Sequence, residues 1–158
     1  MTTGKSKRAF SLVELVIVIV IIGIIAAIAV PRISRGAAGA GTSALRADLH
    51  VLRNALDMYS AEHNGLYPTI ADFIGQLTDY TDIDGNISPT STKDATYKFG
   101  PYLVSIPVLK VGDGKGKSKV AAAAAADVGW VFIATTGKIN ANGGTTAADE
   151  EGTLFKDY

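Results

Sequence analysis

An uninterrupted apolar run stretches from Leu15 to Val30, 16 residues of Leu, Val, Ile, Gly and Ala. Counted from Leu12 it reaches 19 residues, with Glu14 the one charged member. Such a helix is roughly 30 Å long at 1.5 Å per residue, the thickness of a bilayer's hydrocarbon core. Its β-branched side chains would suit a strand in water, but a lone strand leaves its backbone unpaired in lipid, so a membrane setting dictates helix. Pro31 follows and removes one helical hydrogen bond, which predicts a kink or local melting. Gly36, Gly39 and Gly41 loosen the next turns, each at about 1 kcal/mol relative to alanine. Residues 32–41 therefore read either as a flexible hinge in one long helix or as a plain linker.

Periodicity then changes. Leu45, Leu49, Leu52, Leu56 and Tyr59 recur at spacings of 4, 3, 4 and 3, which predicts an amphipathic helix over 42–64, capped by Thr42 or Ser43 and ended by Asn64-Gly65. Thr69 and Asp72 form a capping-box pattern before Ile70, Phe73, Ile74 and Leu77, so a short second helix is expected. Residues 78–96 are polar and turn-rich, and Asp82-Ile83-Asp84-Gly85-Asn86 reads as a tight turn, since the glycine position and closing glutamate of an EF-hand are missing. Residues 100–103 and 106–109 look like short strand pieces broken by Pro101 and Pro107. The stretch 110–126 is lysine-, glycine- and alanine-rich and reads as a solvated loop. Residues 129–134 and 138–141, joined by Thr135-Thr136-Gly137, predict a hairpin in which Trp130 anchors the core.

Composition narrows the function. A chain of 158 residues with 47% hydrophobic content suits one domain. Of 15 basic residues, Lys5, Lys7 and Arg8 lie in the first nine, so the remainder carries 12 basic against 15 acidic side chains, and no nucleic-acid partner is expected. The absence of cysteine excludes disulfides and thiol nucleophiles. The two histidines, His50 and His63, read as surface residues. Scattered Asp and Ser residues show no paired spacing that acid/base or nucleophilic chemistry would need, so the chain is not read as an enzyme.

Three cations precede the apolar run, which places the N-terminus in the cytoplasm and the body across the membrane. A cleaved secretory signal, with Ala27-Ile28-Ala29 as its processing site, and a plain anchor are two readings of the segment. Neither explains Glu14, because an intramembrane carboxylate costs about 2.5 to 3.5 kcal/mol at a helix centre, less near an end. The string Lys7-Arg8-Ala9-Phe10-Ser11-Leu12-Val13-Glu14 resembles the prepilin signature of type IV pilins and type II secretion pseudopilins. One position departs: the family usually has Gly where this chain has Ala9.

The resemblance implies an α+β, pilin-like fold, with a long N-terminal helix packed on a small antiparallel sheet. It implies a cleaved leader, 1–9, a transmembrane and assembly helix, 10–31, and a periplasmic head, 42–158, that includes the amphipathic helix. A prepilin peptidase and N-methyltransferase would cut between Ala9 and Phe10 and methylate the new Phe10 amine. Glu14 would pair with the Phe10 amine of a neighbouring subunit during filament assembly, or else sit solvated at the headgroup level. Expected partners are further copies of the chain, minor pseudopilins, an inner-membrane platform with its ATPase, and lipid before assembly. The protein would be single-pass in a bacterial inner membrane. Relatives of this kind place calcium in a C-terminal acidic loop; the nearest counterpart is Asn142, Asp149 and Glu150, a segment that reads equally as an acidic tail, and no other cofactor is implied.

Tyr59 with Gly65, Tyr67, Pro68 and Thr69 resembles a second segment, that of the major type II secretion pseudopilin. The function implied is a subunit of a periplasmic filament that helps to push folded proteins across the outer membrane. The alternative is a type IV pilin or competence pseudopilin in a surface fibre for adhesion, motility or DNA uptake.

Overall fold

A computed structural model describes residues 10–158. The leader, with Ala9, lies outside the described residues. The chain divides into two units at Ala37/Ala38, and one helix, α1 (Leu12–Glu62, 51 residues), contributes to both.

In the first unit every large apolar side chain from Phe10 to Val30 is exposed. The span Leu12–Val30 is long and apolar enough to cross a membrane, and a helix that is hydrophobic all round belongs in lipid or in a protein core. Helical hydrogen bonding continues through 31–41, so the expected local melting is absent. One proline removes a single N–H and leaves the remaining ladder to carry the turn.

In the second unit the helix is one-sided. Leu45, Leu49, Leu52, Leu56 and Tyr59 are all 2% exposed or less. The helix ends as Asn64-Gly65 predicts: both residues adopt positive φ (56° and 81°), and the Gly65 N–H donates back to Ser60 O at 2.8 Å, closing a Schellman-type turn. Helix α2 (Phe73–Thr78) follows. Thr69 Oγ1 accepts from the Asp72 N–H and donates to the Asp72 carboxylate, both at 3.1 Å, a turn just ahead of the helix, while the Thr69 N–H goes to Gln76 and the N-cap residue, Asp72, makes no side-chain cap bond, so the reciprocal capping box is not formed.

The sheet comprises β1 (Val120–Ala121), β2 (Trp130–Ile133) and β3 (Lys138–Ala141), in that order. The β2–β3 hairpin is antiparallel, with Trp130 opposite Ala141 and Phe132 opposite Ile139. Strand β1 runs parallel to β2, which makes the sheet mixed rather than wholly antiparallel. The reason lies in the connection: the chain from β1 loops out through the alanine run and returns with Gly129 and Trp130 both donating to Lys119 O, so it re-enters beside β1 in the same direction. Trp130, Phe132 and Ile139 are wholly buried and join the α1 stripe in one core. Phe73 meets Phe132 edge-on, ring centroids 4.7 Å apart, and Trp130 Nε1 donates to Pro107 O at 2.8 Å. A short 3₁₀ turn, Phe155–Asp157, closes the chain over β3.

Residues 100–109 form no strand. The N–H groups of Tyr102 and Leu103 both donate to Leu77 O, and the two prolines have no N–H to offer a ladder. The segment instead buries Leu103, Ile106 and Leu109 as a coil pressed on the core. Tyr67 packs on the hairpin tip, where a Cβ on Gly137 (φ 69°) would collide with its ring.

Truncating the central aromatic tests this arrangement. Trp130→Ala is expected to cost the head about 3 to 5 kcal/mol, read as a lowered denaturant midpoint by tryptophan-independent circular dichroism. An unchanged midpoint would contradict its place in the core.

Candidate functional site

The N-terminal motif is built on the first turn of α1. Ser11 precedes the helix and Glu14 lies in its first turn. The Ser11 N–H donates to Glu14 Oε2 at 2.9 Å, and the Val13 N–H reaches Ser11 Oγ at 3.3 Å. This is a capping-box arrangement, in which serine and the glutamate three residues on satisfy the helix's orphan donors. The sequence reading missed it, although Ser-x-x-Glu ahead of an apolar run is its signature. Glu14 thus has a local task beside the intermolecular one implied by the resemblance: one carboxylate oxygen holds the helix start, and its negative charge lies at the positive end of the helix dipole. Phe10 is 84% exposed.

The glycines assigned to the hinge have different surroundings. Around Gly36 and Gly39 there is open space, whereas a Cβ on Gly41 would stand 2.7 Å from Val111 Cγ1. Gly41 therefore also serves close packing within the head, and an added methyl group there would force the 109–111 segment away.

The residues nearest to a calcium loop are engaged by protein partners. Asn142 is buried and its Nδ2 donates to Ala125 O at 2.9 Å and Val128 O at 2.8 Å. Asp149 Oδ1 accepts the N–H groups of Glu151 and Thr153, while Oδ2 takes the Tyr158 hydroxyl and lies 3.7 Å from Arg46. Glu150 is exposed and lines a separate cleft with Arg46 and Thr42. Among the described residues no group of three or more His, Asp or Glu side chains is placed to hold a metal.

What the C-terminal segment does form is a clasp on α1. Arg46 donates to the Tyr158 hydroxyl at 2.8 Å and lies 5.1 Å over its ring. Arg53 donates to the Tyr158 main-chain oxygen and to Ile139 O at 3.3 Å. The hydrogen bond from Tyr158 and those from the surrounding backbone hold the Asp149 carboxyl below the usual aspartate range. No local pattern announces this clasp, because its members are about a hundred residues apart.

His63 also departs from expectation. It is 1% exposed, stacked on Tyr59 with centroids 3.8 Å apart. Its Nδ1 lies 2.8 Å from Tyr59 O, which can only accept, so Nδ1 donates there, and Nε2 lies 3.0 Å from Thr81 Oγ1. A position four residues beyond Tyr59 continues the buried stripe, a signal the periodicity contained. His50 is exposed, as expected, beside Asn54.

Residues 4–30 match the family model described as the prokaryotic N-terminal methylation motif. No curated protein and no solved structure matches the chain. The match spans the basic leader, the Phe10–Glu14 turn and the apolar helix, and it is independent of the head.

The clasp has a pH signature. Because the Asp149 carboxyl is lowered in the fold, its stabilisation is present above the ordinary aspartate pKa near 3.9 and is lost as pH falls through its folded value. The protection of the 149–158 backbone, hydrogen exchange taken relative to the intrinsic rate at each pH, is expected to fall as pH drops below the ordinary aspartate range, and Asp149→Asn to show low protection already at neutral pH. Equal exchange in the variant and the parent at pH 7 would contradict the clasp.

Proposed function

We propose that this chain is a pilin-like structural subunit, the major pseudopilin of a type II secretion filament anchored in a bacterial inner membrane. The observation that carries the reading is the methylation motif at 4–30, whose apolar helix is exposed along its length and continues into a helix with a buried stripe. A protein needs such a helix when it passes from lipid, which solvates every face, into a bundle of identical helices. Cleavage between Ala9 and Phe10 leaves that helix in the product and creates an amine at Phe10. A carboxylate at Glu14 is costly in hydrocarbon, and pairing with the neighbouring amine removes that cost as the subunit leaves the bilayer. The inner-membrane platform and its ATPase supply the work of extraction, and the head is displayed in the periplasm.

The absence of cysteine supports secretion over a type IV pilus, whose major subunits commonly close the C-terminal loop with a disulfide. Here the Arg46–Asp149–Tyr158 clasp fastens that end without a covalent bond.

Glu14→Ala is expected to be processed and inserted normally but to enter filaments at least tenfold less, measured by shearing and immunoblotting. Normal yield from that variant would remove the pairing role. In a deletion strain, specific folded proteins are expected to disappear from the culture supernatant while surface fibres persist. Loss of fibres with an unchanged secretome would assign the chain to a type IV pilus instead.

A further inference from the structure

Two oppositely charged features of the head each hold side chains that form no ion pair among the described residues. The first is a polar cleft of about 490 Å³ lined by Thr69, Asp72, Gln76, Asp84, Gly85 and Asn86. Gln76 is satisfied at both ends of its amide, by the Thr69 N–H and by Gly85 O, each at 2.8 Å. The Asp84 carboxylate has no hydrogen-bond or ion-pair partner among the described residues, and no lysine or arginine lines the cleft. Tyr59 stands behind Gly85, where a Cβ would collide with its hydroxyl. That residue is 2% exposed, yet its hydroxyl makes no hydrogen bond among the described residues. Burial, then the charges of Asp82 and Asp72, push the phenol up to about 12. The cleft therefore offers the unpaired Asp84 carboxylate, with the Tyr59 hydroxyl at its back.

The second feature is the turn Lys115-Gly116-Lys117, exposed throughout. It is held out by Gly116 N–H to Leu109 O and Leu109 N–H to Lys117 O, both 2.9 Å. Lys119 is paired with Asp127 at 2.5 Å and the charge of Lys110 acts on Asp48. Asp113, in the same loop, lies against Gly144. Lys115 and Lys117 form no ion pair among the described residues, and the charge of Lys117 reaches Asp127, which is already paired with Lys119.

Their positions along α1 decide what they can meet. The lysine turn adjoins Val111, which packs against Gly41, whereas the cleft adjoins Tyr59. Eighteen residues of helix separate those two levels, roughly 27 Å at 1.5 Å per residue, far beyond the reach of a lysine within the same head. We propose that Lys115 and Lys117 of one copy dock into the Asp72–Asp84 cleft of the next copy along the helix axis. The contact joins different surfaces of identical molecules, so it repeats from copy to copy, and it builds an open filament when the rotation between copies does not close a ring. It rests on the filament reading above and adds a head-to-head determinant to the helix bundle. Rim charges of this kind chiefly steer and register the docking.

The chain has no cysteine, so introduced pairs report cleanly. Full-length Asp84→Cys/Lys117→Cys, oxidised in membranes of assembling cells, is expected to give a ladder of dimers, trimers and higher multimers, while either single variant stops at dimers. Asp84→Lys and Lys117→Glu are each expected to lower filament yield at least tenfold, and the double reversal to restore it to within about twofold. A merely structural role would make the double variant worse than either single one. The docking is overturned if parental filaments are normal but no ladder forms, or if the double reversal is as poor as the singles. Parental protein that forms no filament overturns the filament reading itself, and the docking with it.

Discussion

Strands of two, four and four residues present too little apolar surface to hold a domain together, and the head stands because α1 supplies the other wall of its core. Leu45, Leu49, Leu52, Leu56 and Tyr59 give about four turns of buried side chain against Trp130, Phe132 and Ile139. At about 1.5 to 3 kcal/mol for each fully buried large side chain, the stripe is a major share of what opposes the chain's conformational entropy. Everything peripheral is arranged around it: α2 reaches the core through Phe73, the coil at 100–109 through Leu103, Ile106 and Leu109, and the chain end through Phe155.

The same helix answers to two solvents. Its N-terminal part is apolar on every face, as suits a helix in lipid or among other helices; its C-terminal part is apolar on one face and polar on the other. The change falls among Gly36, Gly39 and Gly41, where the helix continues despite three residues that favour its melting. Glu14 shows a related economy. Its carboxylate closes the first turn through Ser11, so the charge for which we propose intermolecular pairing also caps the helix that carries it.

Legibility in the sequence followed the range of the interactions. The apolar run, the 4-3-4-3 stripe, the short helix α2, the Asn64-Gly65 terminus and the 130–141 hairpin each depend on residues within a few positions, and each was readable. The Asp82–Asn86 turn belongs with them, since Asp82 accepts the N–H groups of Asp84 and Asn86 at 2.9 Å. Strand β1 was not readable, because two residues at the edge of an alanine run pair only where Trp130 happens to return. Nor was the clasp of Arg46, Asp149 and Tyr158, whose members meet only after folding; the burial of His63 lay in the helical period, four residues past Tyr59, but its contact with Thr81 did not. At the candidate site the motif itself was plain from residue types and spacing, whereas the Ser11–Glu14 cap was overlooked because the glutamate already had another explanation.

Tyr67 fills the space above Gly137, so the tip of the β2–β3 hairpin is sealed by the segment that leaves α1. Descendants of this chain could not lengthen that tip without evicting the tyrosine and opening the core below it. The polar stretch at 78–96, whose residues 89–96 are exposed to water, carries no such penalty. Variation in the outward face of the molecule therefore has an inexpensive place to accumulate there, while the hairpin stays fixed in length.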